Sequence, residues 1–400
     1  MTDTFLKIKD ELTSLKNLGT LQGQHRVMWK DNGVCYGTSW TMSIGAITED
    51  DVYEMDEDKP EVQAFMNMKD YDYMTVAQPK YCMLCARKNM SVEVSLEDMA
   101  QIIGGKVMVT PCEEEPITSA LKAVPAALIS ELEMAITLGR DIYESFVAMM
   151  VLEKASEVQY KSAALGGLKT LTEKQILLQR GDYLKKYSDI RVKHKAALPK
   201  GADKNETHLR ESLCEAGRDL VKEGLIHGIW GSLSVRLDRD YMLVTPLGLS
   251  HDSLVPEDIV KVKLSNLSHS ENENEPTSDT LIHKNIYSKR ADVNAIIHTH
   301  STMASLYAAA RMPLEIIAKD GTEEIIRCTK YEANGSAKGA KRAAEELKDR
   351  RGVILANHGM ITVGDTLKIA VENAKSIELA ATEAIDARRD TLDLEVYIGK

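Results

Sequence analysis

Two histidines one residue apart, His298 and His300, close a mostly apolar run over 293–297 that reads as a strand. Side chains alternate across a strand, so both imidazoles leave it on the same side. Two neutral imidazoles aimed one way suit a divalent ion such as zinc. His358, in Asn357-His358-Gly359, offers a third donor at the end of another apolar run, 353–356, where Gly359 permits a tight turn. Three histidines leave a coordination position open, the arrangement of a catalytic metal rather than a structural one. An H-x-H pair by itself is more often incidental, so the residues alone leave metal binding and ordinary packing both open.

Other chemistry-bearing residues give weaker signals. Only His25 lies in the first 190 residues, whereas eight of the ten histidines lie beyond residue 200. His208, His227, His251, His269 and His283 fall in helical or polar segments and read as surface or structural groups. Cys82 and Cys85 form a lone C-x-x-C with no second pair to complete a zinc ribbon, so they read as small buried residues in a strand. The acidic stretch 49–58 lacks the glycine and oxygen spacing of a calcium loop and reads as solvated.

The elements that must position these groups divide the chain of 400 residues into two domains. A polar, basic stretch with Pro199 and Gly201, residues 192–206, reads as a linker between a domain of 1–191 and one of 207–400. Amphipathic helices are expected over 141–165 and 172–187, and a new one from an Asn205 or Thr207 cap with Leu209, Leu213, Ala216 and Leu220 at helical spacing. Beyond it, strands at 234–236 and 241–245 form a hairpin around Asp238-Arg239-Asp240, a helix spans 303–310, and a long helix covers 366–387. Short strands alternating with helices make the class α/β. No Gly-rich phosphate loop is present.

The first half contains a weaker copy of the second. The segment from Ile129 lines up without a gap with that from Ile354, through Gly139 and Gly364, and sets Glu133 where His358 stands. Chance similarity of two strand–turn–helix units is the competing account. The first half has no H-x-H pair; its equivalent stretch reads as 81–85.

Five segments in the second half carry a family resemblance: Trp230-Gly231-Ser232-Leu233-Ser234, Thr245-Pro246-Leu247-Gly248, Pro276-Thr277-Ser278-Asp279-Thr280, His298-Thr299-His300-Ser301 and Asn357-His358-Gly359. In this order they resemble the class II aldolase/adducin family over nearly all of 207–400. The resemblance implies two tandem class II aldolase-like domains, each a mainly antiparallel sheet flanked by helices, the first degenerate and without metal ligands. It implies that His298, His300 and His358 bind Zn2+ or another divalent ion such as Mn2+. Gly231, Ser232, Gly248, Thr277 and Ser278 would cradle a substrate phosphate or carboxylate. Where fuculose-phosphate-type aldolases carry a glutamate, Asp279 stands in a Ser-Asp-Thr run, as in ribulose-5-phosphate 4-epimerases; Trp230, the Cys328-Thr329 pair and the terminal 397–400 are epimerase-like too, whereas Asn357-His358-Gly359-Met360 is aldolase-like. Two positions depart from the family: its usual asparagine after the glycine is Ser232, and its usual serine or threonine before Gly248 is Leu247, which has no side-chain donor. The substrate is then either not phosphorylated or held differently.

The chemistry implied is cleavage or formation of a carbon–carbon bond next to a carbonyl, through an enediolate stabilised by the metal, in a sugar, sugar phosphate or related hydroxy-keto compound. Asp279 is the candidate acid/base or fourth ligand, Asp320 a second candidate for proton transfer, and Tyr397 a candidate partner of the aldehyde. Recombination on the opposite face would make a 4-epimerase instead of a lyase. A reading of another class is a non-catalytic, adducin-like binding or assembly module. Family members form tetramers, so a homo-oligomer is expected, either a tetramer or a dimer of two-domain chains. A net charge of −11 gives no basic face for nucleic acid or an anionic membrane, and no apolar run has membrane-spanning length. With a polar N-terminus and dispersed cysteines, the location expected is cytoplasmic.

Overall fold

The computed structural model describes residues 21–186, 194–199, 201–317 and 323–388, with Phe5, Ile8, Lys9, Leu12 and Leu15 besides. Among them two compact units separate: residues up to 161 with 170–184, and residues 162–169 with those from 185 onward. Both combine helices with a largely antiparallel sheet, the α/β class expected.

In the first unit β1 (His25–Asp31), β2 (Val34–Thr38), β3 (Val52–Glu54), β4 (Tyr73–Ala77), β5 (Val109–Thr110), β6 (Ala126–Ile129) and β7 (Met134–Gly139) form one sheet in the order β3-β2-β1-β4-β7-β6-β5. Only β5 and β6 run parallel. Around it lie α1 (Pro60–Met66), α2 (Lys80–Arg87), α3 (Glu97–Ile102), α4 (Glu114–Ala123), α5 (Ile142–Lys161) and α6 (Glu173–Lys186). Every residue of β6 and β7 is buried, as strands covered on both faces must be.

The second unit opens with α7 (Lys204–Lys222). Its cap is Asp203, whose side chain accepts from the Glu206 amide at 2.8 Å, ahead of both caps read from the sequence, Asn205 and Thr207. Its sheet holds β8 (Ser232–Arg236), β9 (Tyr241–Val244) and β10 (Val260–Lys263), then β11 (Ala295–Thr299), β14 (Gly352–Leu355) and β15 (Gly359–Gly364), in the order β10-β9-β8-β11-β15-β14. The turn between β8 and β9 is the expected one, with Asp238 accepting from the amides of Asp240 and Tyr241. Helices α8 (Thr280–Lys289), α9 (Thr302–Ala310), α10 (Ala337–Leu347) and α11 (Leu367–Asp386) and a separate hairpin, β12 (Leu314–Ile317) with β13 (Glu323–Ile326), complete it.

The two sheets share a strand order once β5 is set aside, with β4 in the place of β11 and β7 in that of β15. Gly139 pairs with Tyr73 as Gly364 pairs with Ala295, so Val76 and Gln78 stand at the places of His298 and His300. This corrects two expectations: residues 81–85 do not replace the H-x-H, and Cys82 and Cys85 lie in α2 rather than in a strand. One strand further out, Ala126 faces Thr137 whereas Gly352 faces Thr362. The first unit's turn is therefore one residue longer, and the gapless sequence alignment slips by one in β6.

A half-buried carboxylate fastens the helix that follows each of these central strands. Glu378 of α11 accepts from the Ser301 hydroxyl at 2.7 Å and from the amides of Met303 and Ala304 at 2.7 and 2.8 Å, at the start of α9. Glu153 of α5 accepts from the amides of Tyr81 and Cys82 at the start of α2. Amides at a helix start have no partner within the helix, and negative charge is favoured there. Glu378→Ala is expected to cost about 3 kcal/mol, read from urea unfolding, because charge-assisted bonds are lost and part-buried amides stranded. A loss below about 0.5 kcal/mol would mean that water replaces the carboxylate at no cost.

Candidate metal centre

His298 is the fourth residue of β11, paired with Ser232 of β8 on one side and Ile361 of β15 on the other. His300 follows the strand's last residue, and His358 directly precedes β15. The turn before β15 is fixed by Asn357, which adopts a left-handed φ of 59°. Its amide donates to the Ala308 carbonyl at 2.9 Å, and its carboxamide donates to Lys169 at 2.7 Å and accepts from Arg311 at 2.8 Å. Gly359 is required beside it, since a Cβ there would sit 2.3 Å from the Thr299 carbonyl oxygen. The three imidazoles come together with ring centroids 4.7–4.8 Å apart, and their ligand nitrogens lie within 4.8 Å of one another. All three are buried.

Asp279 sits at the N-cap of α8, where the helix end favours an anion. Its Oδ2 accepts from His298 Nδ1 at 2.7 Å and from the Ser232 hydroxyl at 2.9 Å. Burial by itself would push this carboxyl up; the His298 imidazole bonded to it, with His358 and His283 close by, outweighs burial and holds it well below the usual carboxylate range. With Nδ1–H committed to a carboxylate, His298 presents the lone pair of Nε2, an atom buried without a partner. Three clustered imidazoles, one of them oriented by a carboxylate and showing an orphaned nitrogen, fit a divalent cation in donor chemistry and in shape.

The residues expected to hold an anion are placed by the strands around this centre. Gly231, at φ 116°, lies against the His298 carbonyl oxygen, where a Cβ would approach to 2.7 Å. Pro246 and Pro276 form an antiparallel bridge that sets Leu247 against Glu275, whose carbonyl accepts from its N–H at 2.8 Å, and Thr277 against Thr245, whose carbonyl accepts at 3.1 Å. The Ser232 hydroxyl, however, is turned to Asp279 and to His283, 3.1 Å away. Asp320 and Tyr397 lie outside the described residues.

Two histidines read from sequence as surface or structural groups are fully buried. His283 lies between the Ser232 and Ser234 hydroxyls, 3.1 and 2.7 Å from its ring nitrogens. His251 has Nδ1 3.5 Å from the Gly228 carbonyl oxygen and a partnerless Nε2. Burial lowers both to about 4. Sequence carried a signal for His283, which follows Asp279 by one helical turn; none marked His251.

A model of the class II aldolase and adducin N-terminal domain matches residues 211–385, within the second unit. A 5-deoxy-D-ribulose 1-phosphate aldolase of Bacillus thuringiensis serovar kurstaki is 34% identical over 177 residues, which cover 43% of this chain and 82% of that protein. The chain belongs to the class II aldolase and adducin family. An L-fuculose phosphate aldolase of Haemophilus influenzae is 32% identical over 44% of this chain and 82% of its own length. A probable L-ribulose-5-phosphate 4-epimerase of Mycoplasma pneumoniae is 28% identical over 44% and 81%. Among solved structures, an L-fuculose 1-phosphate aldolase matches at 28% identity with a TM-score of 0.44, over 49% of this chain and 94% of that one. The relatives are aldolases and an epimerase, and the chain is an enzyme of their superfamily. No helix among the described residues is long and apolar enough to cross a membrane.

The buried histidines set a pH dependence for this class II aldolase-family unit. His251 and His283 have folded-state values of about 4, below the 6.5 of the unfolded chain, so the unfolded state binds more protons between the two. Their stabilisation is complete above about pH 6.5 and is lost as pH falls toward 4, each forfeiting about 2 kcal/mol by pH 5. Urea unfolding of metal-stripped protein across this range is expected to show the decline, and His251→Gln to reduce its slope by about half. A profile that stays level down to pH 5 would show these rings to be hydrated.

Proposed function

We propose that the second unit is a divalent-metal-dependent aldolase that cleaves or forms a carbon–carbon bond next to a carbonyl in a sugar phosphate or a related hydroxy-keto compound. The observation that carries this reading is the trio of buried imidazoles, His298, His300 and His358, with His298 Nε2 bare. Zn2+ or Mn2+ suits such donors. A divalent ion held by His298, His300 and His358 would supply Lewis acidity to the substrate's carbonyl.

The chain's own residues do the rest. Asp279 fixes the tautomer of His298 through Oδ2, and its Oδ1, buried without a partner, is the atom offered to the substrate's proton. In the cleavage direction Oδ1 takes the proton of the hydroxyl whose carbon becomes the aldehyde, and the electrons of the broken bond pass to the carbonyl side. Gly231, Gly248, Thr277 and Ser278 hold the anionic end of the substrate. His358 also lines a cleft with Thr329, Lys330, Asn334 and Ser336, which gives the substrate an approach. The 4-epimerase reading shares the cleavage step, and the aspartate at 279 together with the 4-epimerase relative favours it as the alternative.

The first unit, on this proposal, is a copy of the fold without the centre. Its sheet has the matching strand order and its Glu153 the matching helix-capping bonds, but Val76, Gln78 and Glu133 stand at the ligand positions. Glu133 pairs with Arg87 at 2.6 Å. Elemental analysis is therefore expected to find about one divalent ion per chain, lost in His298→Ala. Asp279→Asn, assayed at a saturating concentration of the divalent ion, should lower cleavage of ketose phosphates by roughly 10²–10⁴-fold. Metal-free wild-type protein with no thermal shift on adding divalent ions would favour an adducin-like binding module instead.

A further inference from the structure

The carboxylate at the centre is the end of a buried hydrogen-bond chain that runs away from it along the interface of α8 and β8. In order, its atoms are Asp279 Oδ2, Ser232 Oγ, His283 Nε2 and Nδ1, Ser234 Oγ and Tyr287 Oη, separated by 2.9, 3.1, 2.7 and 2.9 Å. All five residues are buried. The chain arises because two repeats nearly match: residues four apart on a helix rise about 6 Å, and residues two apart on a strand about 6.6 Å. Asp279, His283 and Tyr287 thus step along α8 in register with Ser232 and Ser234 on β8.

Counting hydrogens gives the chain a direction. Asp279 Oδ2 accepts from the Ser232 hydroxyl, so the single hydrogen of Ser232 points to it. Ser232 must then accept from His283 Nε2–H. A neutral ring with Nε2 protonated has a bare Nδ1, which takes the Ser234 hydrogen, and Ser234 in turn accepts from Tyr287. The alternative acceptor for Tyr287, the Asn294 carbonyl, is more distant at 3.5 Å. Burial that keeps His283 neutral agrees with this single arrangement.

We propose that His283 is a positioning residue for the metal centre, held as its Nε2–H tautomer so that the Ser232 hydroxyl is aimed at Asp279 Oδ2, which leaves Oδ1 for the substrate and fixes His298 by its Nδ1. The inference rests on the metal-dependent reading of the centre. The Ser232 hydroxyl thereby belongs to the support of Asp279 rather than to the cradle of an anion.

Long-range nitrogen–proton correlation spectra of metal-stripped, nitrogen-15-histidine-labelled wild-type protein test it directly, with the His283 signals assigned from their absence in His283→Gln. The Nε2–H tautomer, unchanged between about pH 6 and 8, is expected; an Nδ1–H tautomer or a mixture overturns the proposal. Calorimetric titration with Zn2+ is the second readout. His283→Phe, which keeps a ring of similar size but no donor, should bind the ion roughly 10–100-fold more weakly. His283→Gln, whose amide can still donate to Ser232, should recover most of that loss. His283→Phe binding as tightly as wild type overturns the proposal. Wild type that takes up no Zn2+ would instead sink the metal-dependent reading, and the tautomer spectrum would still decide the role of His283.

Discussion

The register between β11 and β15 is the constraint on which the centre depends. Its donors come from two adjacent strand ends that lie far apart in sequence, and they meet only when Thr299 faces Met360 and His298 faces Ile361. A slip of one residue would turn His298 to the opposite face of the sheet. Apolar packing holds the register, since every residue of both strands is buried. Gly359, with no room for a side chain against Thr299, locks it at the end where the histidines lie.

That precision serves to place charge where charge is costly. A carboxylate taken wholly out of water is unstable unless donors surround it. Asp279 answers with an imidazole N–H and a serine hydroxyl, both at Oδ2, beside the N-terminus of α8. In the first unit the corresponding strand ends solve a simpler problem. The strand pairing sets Arg26 at the place of Ser232, and its guanidinium meets Glu61 at 3.4 Å, while Gln78 donates to the Leu132 carbonyl. Opposite charges and neutral amides neutralise one another there, and among the described residues the histidine trio of the second unit is the group with metal-binding geometry.

How much of this was legible in sequence depends on the period of the signal. The H-x-H pair and the N-H-G turn are local, and strand alternation was enough to orient two imidazoles. The order of five motifs was enough to name the family. The hairpin at Asp238–Asp240 and the long helices followed from turn chemistry and apolar spacing, with errors of a residue or so at most ends and a larger one at the end of α5, which stops at Lys161 rather than at 165. By contrast, the lone C-x-x-C was placed in a strand because two small apolar residues three apart carry no periodic signal of their own; in the fold Cys82 and Cys85 lie on the buried face of a short helix. The one-residue difference between the turns before β7 and β15 was invisible because a gapless alignment through Gly139 looked sufficient.

The chain behind Asp279 shows why buried polar networks escape sequence reading although their parts are present. Asp279, His283 and Tyr287 repeat every fourth residue, and Ser232 and Ser234 every second. Each pattern alone is that of an ordinary helix face and an ordinary strand face. Meaning appears only when tertiary packing lays one pattern along the other, because a hydroxyl or an imidazole in isolation has no preferred direction of donation. Once an ionised carboxylate terminates the row, every hydrogen upstream of it has one favourable place. Polarity thus propagates from a single buried charge through about three side chains to a tyrosine in the core. The same logic separates the two halves of the protein: with Arg26 in place of Ser232, no neutral row can form, and an ion pair stands where the centre would have been supported.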